Sequence, residues 1–151
     1  VDTSTEIMLK KQRYDGVIEG WHGDGNYTRT AIMYALWKTK GLSIEPWRAD
    51  VAFGAVIAED GTLKIFVQSD WPWSGKLKFD IPRHRVYLHM PVDYPRLNQF
   101  PEWFTVQHDG KYRVSIDGGE DITRTGEALH SGLPITLKRN TSVRITIRII
   151  E

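Results

Sequence analysis

From Val51 to the C-terminus, apolar and polar residues alternate in short runs separated by turn signals, and this pattern constrains the fold more than any other feature of the chain. In a strand, successive side chains point to opposite faces, so a period of two marks a strip buried on one side only. The cleanest run is the last, 142–150, where Val143, Ile145, Ile147 and Ile149 alternate with Arg144, Thr146 and Arg148. Residues 62–69 set Leu63, Ile65 and Val67 on one face and Lys64, Phe66 and Gln68 on the other. Residues 51–58, 76–80 (Leu77 and Phe79 inward), 84–90 (Val86, Leu88 and Met90 on one face), 103–106, 111–116, 121–125 and 135–138 read as further strands. Glu59-Asp60-Gly61, His108-Asp109-Gly110 and Asp117-Gly118-Gly119 supply turns, Trp71-Pro72-Trp73-Ser74-Gly75 a tight corner, and Pro91, Pro95 and Pro101 punctuate a long loop. Roughly eight or more short strands with regular turn signals predict a mainly β fold, an antiparallel β-sandwich of jelly-roll-like type rather than a βαβ fold.

One stretch breaks the β texture. Residues 20–41, GWHGDGNYTRTAIMYALWKTKG, read as a helix over about 26–40. Asp24 or Asn26 can cap its first turn, Lys38 and Lys40 suit the negative end of the helix dipole, and Gly41 tolerates the left-handed geometry of a helix stop. Ala31, Ile32, Met33, Tyr34, Ala35, Leu36 and Trp37 are apolar or aromatic without interruption. A surface helix shows a single apolar stripe, so this one is expected to be buried, against the core, a second layer or another chain. Residues 1–11 read as a short strand or a frayed arm. The expected organisation is a lead-in segment over 1–45 and a sandwich over 46–151, with Pro46 barring continuation of the helix.

A chain of 151 residues suffices for one domain with a real core. Twenty Lys and Arg against 19 Asp and Glu leave a net charge of +1, which argues against nucleic acid as a partner. No stretch reaches the length of a membrane span, so membrane insertion is not expected. With 0 cysteines there is no disulfide framework and no thiolate chemistry. His84 and His89 are spaced for opposite faces of a strand, and His108 and His130 fall in separate turns, so neither a metal nor another cofactor is expected. Gly23-Asp24-Gly25 partly mimics a dinucleotide fingerprint, but Thr28 stands where a third small residue belongs.

Two groups of residues could meet a ligand. Glu19, Trp21, His22, Asp24 and Arg29 crowd the entry to the helix, where carboxylates beside a histidine can support acid–base work or line a substrate cleft. The alternative is structural: a cap, an ion pair and a packed loop histidine. Trp71, Trp73, Tyr94 and Trp103 lie in loop-rich stretches beside Asp70, Asp93, Arg96, Asn98 and Gln99. Flat aromatic faces next to such polar groups suit sugar rings; equally, they could plug the ends of a sandwich.

The runs WHGDGNYTRTAIMYALWKTKG, DVAFGAVIAEDGTLKIFVQSDWPWSGKLKFDIPRHR, MPVDYPRLNQFPEWF and LPITLKRNTSVRITI together resemble the C-terminal region of large Bacteroides-type proteins of polysaccharide utilisation, including a domain of unknown function of the DUF4450 type. In those proteins a helical, toroidal glycoside-hydrolase-like part ends in a last helix and a β-sandwich follows. The resemblance implies a periplasmic or secreted bacterial protein. It implies a chain that is not itself catalytic, supports an upstream helical catalytic domain (or another chain) packed on residues 31–37, and works on an oligo- or polysaccharide. A non-catalytic carbohydrate-binding module and a partner-binding sandwich without ligand are the alternatives. No catalytic residue transfers from the resemblance to a position of this chain.

Overall fold

A computed structural model describes residues 2–14, 26–91 and 103–150. The chain divides into two compact units, Val1–Trp37 and Lys38–Glu151.

In the first unit, residues 1–11 form neither a strand nor a frayed arm but a helix, α1 (Asp2–Leu9), followed by α2 (Asn26–Thr39). The period of α1 was masked because only Thr5 and Met8 are buried in it. Tyr34 donates its hydroxyl hydrogen to an Asp2 carboxylate oxygen at 2.7 Å. The extent of α2 agrees with the sequence, and so does its stop: Lys40 and Gly41 both take positive φ, 55° and 79°. Its burial does not agree. No residue from Arg29 to Lys38 is buried, and Ile32 is 55% exposed. The expected buried helix is therefore only half-buried along its apolar run, with Ile32 and Ala35 exposed.

The second unit is built on two antiparallel sheets. One has three strands in the order β1-β4-β7, where β1 is Ser43–Glu45, β4 Trp73–Lys78 and β7 Leu133–Leu137. The other has five in the order β2-β3-β8-β5-β6, with β2 Val51–Ile57, β3 Leu63–Ser69, β5 Lys111–Ile116, β6 Ile122–Thr125 and β8 Thr141–Ile150. Leu77, Leu133, Ile135 and Leu137 of the first sheet share one apolar core with Leu63, Ile65, Val67, Val114, Ile145 and Ile147 of the second. The architecture is thus sandwich-like, as the alternation predicts. β1, inside the expected lead-in, pairs with β4 and belongs to this unit.

The β2–β3 hairpin turns where Asp60-Gly61 predicts. Gly61 sits at φ 76° and the Asp60 carboxylate accepts the Thr62 N–H at 3.0 Å. Residues 84–90, expected as a strand, instead hold a single helical turn, α3 (Arg83–Val86). The Pro82 carbonyl accepts the N–H groups of Arg85 and Val86 at 3.0 Å each, which closes the turn. The alternation of Val86, Leu88 and Met90 finds no neighbouring strand; Val86 and Leu88 are exposed, and His84 is the residue buried there. Residues 103–106, also expected as a strand, contribute only a bridge between Asp80 and Thr105. The remaining helix, α4 (Gly126–Ser131), is capped by Thr125, whose hydroxyl accepts the Ala128 N–H at 3.2 Å.

Candidate functional site

The five-stranded sheet turns one face to the core and the other to solvent. Register fixes what the outer face carries. Gly54 lies opposite Phe66 and Phe66 opposite Arg144; one row along, Val56 lies opposite Lys64 and Lys64 opposite Thr146. Opposed residues on one face stand about 4.5–5.5 Å apart at Cβ, so these side chains form a continuous patch. Gly54 contributes no side chain, and a groove of about 460 Å3 opens there, lined by Lys38, Gly54, Val56, Lys64, Phe66 and Arg144 among others. A second, more polar hollow of about 200 Å3 shares Lys64 and Thr146 with it and extends to Thr62, Arg113, Asp121 and Arg148.

The charges along this face are not equivalent. Arg148 donates to Asp60 at 3.0 Å and to the Thr62 hydroxyl at 2.7 Å, and Arg113 pairs with Asp121 at 3.6 Å. The Asp117 carboxylate accepts the backbone N–H of Arg144 at 2.7 Å. Among the described residues, the Lys64 ammonium and the Arg144 guanidinium make no ion pair. They flank the Phe66 ring, which is 39% exposed.

A separate polar corner lies where β3 leaves its sheet. Arg48 donates to the Asp50 carboxylate through two nitrogens and to the carbonyls of Trp71 and Pro72 at 2.9 Å each. Asp50 also accepts the Trp71 N–H and the Ser69 hydroxyl, each at 3.2 Å. The Arg48 guanidinium, aided by these donors and opposed by partial desolvation, lowers the Asp50 pKa to about 2. This network fixes the corner that presents Trp71. The Trp71 ring is 54% exposed, with the Arg139 guanidinium 4.0 Å from its centroid, inside cation–π range. Beside it a hollow of about 250 Å3 is lined by Gln68, Ser69, Asp70, Asn140, Thr141 and Ser142.

The residues singled out in the sequence fare unequally. Glu19, Trp21, His22, Asp24 and Tyr94 lie outside the described residues, as do Asp93, Arg96, Asn98 and Gln99. Arg29 is exposed on α2. Of the aromatics, Trp71 keeps an open face. Trp73 is 3% exposed within the core, its indole N–H donating to the Pro46 carbonyl at 3.2 Å, so its ring offers no face to a ligand. Trp103, 6% exposed, lies against Gly41 and is likewise enclosed. Both rings are enclosed, Trp73 on an inward position of β4 and Trp103 at a bend outside the strands. Among the described residues no three His, Cys, Asp or Glu side chains gather as a cation site, and no helix is long and apolar enough to cross a membrane.

The sequence reading passed over Gly54, Phe66 and Arg144. The signal was present: Phe66 is the aromatic on the outward parity of its strand, and Gly54 interrupts a strand interior. No protein-family model matches the chain, and neither a curated protein nor a solved structure is found to be similar to it.

Proposed function

We propose that this chain is a non-catalytic β-sandwich component of a carbohydrate-active, glycoside-hydrolase-like protein of bacterial polysaccharide utilisation, and that α2 docks it on a helical catalytic neighbour. The observation that carries the reading is the incomplete burial of α2, on which Ile32 and Ala35 are exposed and the rest of 31–37 is half-buried. Seven consecutive apolar or aromatic residues, 31–37, lie on a helix none of whose residues from Arg29 to Lys38 is buried. Fully burying one aliphatic side chain contributes about 1.5–3 kcal/mol, so a helix of this composition gains substantially from a cover. The carbohydrate context comes from the sequence resemblance, in which a last helix of a toroid precedes a sandwich. The finer jelly-roll-like description draws support from the chain's crossing between sheets at β1–β2, β3–β4, β4–β5, β6–β7 and β7–β8; the β2–β3 and β5–β6 hairpins within one sheet weigh against it.

Size-exclusion chromatography and binding of an apolar-surface dye test the docking role. The wild-type chain is expected to bind dye and to self-associate, and Ile32→Glu to lose both with an unchanged far-UV spectrum. A wild-type monomer that binds no dye would sink the reading. Turnover of a polysaccharide by the purified chain would refute the non-catalytic part.

A carbohydrate-binding module is the second reading, favoured by Trp71 with its open face beside a polar hollow. Under it, Trp71→Ala abolishes glycan binding measured by affinity electrophoresis, whereas Ile32→Glu leaves it intact.

A further inference from the structure

We infer that the outer face of the five-stranded sheet is a binding site for an acidic oligosaccharide, with Gly54 as its floor, Phe66 as its stacking platform, and Lys64 and Arg144 as its carboxylate-binding cations. The inference rests on the carbohydrate reading above and names the ligand class and the surface.

Gly54 is the starting point. A glycine inside a strand weakens it, and its presence marks a bulge, a bend or a close approach by another group. At Gly54 the first two causes are missing. The β2–β3 register runs without interruption from Val51↔Ser69 to Ile57↔Leu63, and Gly54 is not among the residues with positive φ. Packing does not require it either: a Cβ there would meet only the Lys38 carbonyl oxygen, at 3.8 Å, an ordinary van der Waals distance. Of the close approaches that remain, another backbone comes no nearer than that Lys38 carbonyl oxygen, which leaves the opening over Gly54 to a ligand. Directly across the strand pair stands Phe66, its ring reachable over the space a side chain at position 54 would fill.

Charge and shape select the ligand. Two cations that form no ion pair with a described residue bracket the ring: Arg144 is the cross-strand neighbour of Phe66, and Lys64 is two residues along the same strand. Strand geometry puts Lys64 about 6.6–6.8 Å from Phe66 along the chain. A ligand with an apolar ring face and carboxylates at its rim meets both demands at once. A uronic-acid sugar is of that kind: its C–H face packs on the ring, its carboxylate reaches a cation, and its hydroxyls meet Thr146 and the adjoining polar hollow. The site lies on the flat of the sheet and not along the free edge of β2, which disfavours a peptide added as a strand. Because the whole chain carries only +1, attraction for a polyanion must be local to this face.

The test is affinity electrophoresis and isothermal titration of the full chain against polygalacturonate, alginate and heparin, with neutral galactan and poly-glutamate as comparators. Expected is binding to at least one acidic polysaccharide, none to galactan or poly-glutamate, and weakening as salt is raised. Gly54→Leu fills the groove and should reduce affinity at least tenfold while leaving thermal stability unchanged or raised. Phe66→Ala should do likewise. Lys64→Gln and Arg144→Gln should each weaken binding by about two- to fivefold, as for exposed ion pairs. Failure of all three acidic glycans to bind overturns the inference, as does binding unaffected by Gly54→Leu. Binding to poly-glutamate equal to that of the glycans overturns it in favour of an acidic peptide. None of these failures touches the docking role of α2, which Ile32→Glu reads separately.

Discussion

Ile147 and Ile149 occupy the same parity of β8, and a pattern of alternation treats them as equals; the structure does not. Ile147 is 0% exposed, registered with Leu63 on one side and Val114 on the other, both fully enclosed. Ile149 is 65% exposed, because β3 begins at Leu63 and leaves no partner on that side beyond Ile147. Truncating either isoleucine to alanine removes the same atoms. At Ile147 the loss is about 0.8 kcal/mol per buried methylene equivalent plus the cavity left behind, which gives about 3–4 kcal/mol. At Ile149 most of that surface already meets water, and the expected loss is under about 0.5–1 kcal/mol. For a domain of this size each kcal/mol moves the melting temperature by about 2–4 °C, so Ile147→Ala should lower Tm by about 6–16 °C and Ile149→Ala by no more than about 4 °C. Urea titration followed by tryptophan fluorescence suits the comparison, since the buried Trp73 reports on the same core. The midpoint should fall for Ile147→Ala with an unchanged slope. Equal losses for the two variants, or a larger one at Ile149, would refute the register and the end of β3.

Three further outcomes follow from single contacts. Tyr112→Phe keeps the ring and its edge-to-face neighbour Phe104 at 6.2 Å but removes the hydroxyl that accepts the Gln107 N–H at 2.8 Å; a loss of about 1–3 kcal/mol is expected in thermal unfolding. Burial also pushes the Tyr112 phenol pKa up, so spectrophotometric titration should show it ionising above the ordinary tyrosine range. Gly126→Ala drives a methyl group into the Gln107 carbonyl and should cost at least about 1–3 kcal/mol; an unchanged melting temperature would mean that the 107–110 turn is not seated on α4. Asp50 has its pKa depressed from 3.8 to about 2 by Arg48, so its contribution to stability is complete above the unfolded value and is lost as pH falls toward 2. The gap in urea midpoint between wild type and Asp50→Asn should therefore be constant above pH 4 and close between about 4 and 2, and a gap that stays unchanged to pH 2 would contradict the network.

Much of the second unit was legible because period two and turn chemistry are local. The hairpin at Asp60-Gly61 needs a glycine in left-handed geometry and a side-chain acceptor two residues before Thr62, and both are written in adjacent positions. What was not legible depends on distant partners. Val86, Leu88 and Met90 alternate, but alternation makes a strand only where a neighbour supplies hydrogen bonds, and Pro82 closes a helical turn first. Ser43–Glu45 is too short for a period and becomes a strand because β4 lies beside it. The enclosure of Trp73 has a similar cause. Its Trp-Pro corner suggests a loop, but with Leu77 inward the parity of β4 also turns residues 75 and 73 inward. The outer groove was overlooked because a site on the flat of a sheet is assembled from three strands far apart in sequence: Gly54, Phe66 and Arg144 meet only through register.

Two strand glycines show how such a site can be told from ordinary packing. Gly54 and Gly75 both lie inside strands, and neither takes positive φ. At Gly75 a Cβ would stand 2.6 Å from the Glu45 carbonyl oxygen and would enter the Trp73 ring, which lies over it. That glycine is fixed by the buried indole, and Gly75→Ala should destabilise by about 1–3 kcal/mol through overpacking. At Gly54 the nearest atom is 3.8 Å away, so the same substitution meets no obstacle. There, alanine should stabilise by about 0.5–1 kcal/mol, because it lowers the conformational entropy of the unfolded chain. Opposite signs in one thermal-unfolding experiment would separate a glycine kept by the core from one whose absent side chain benefits something other than stability. If Gly54→Ala also destabilised by more than about 1 kcal/mol, position 54 would have a packing reason of its own, and the groove above Phe66 would lose its chief argument for a ligand.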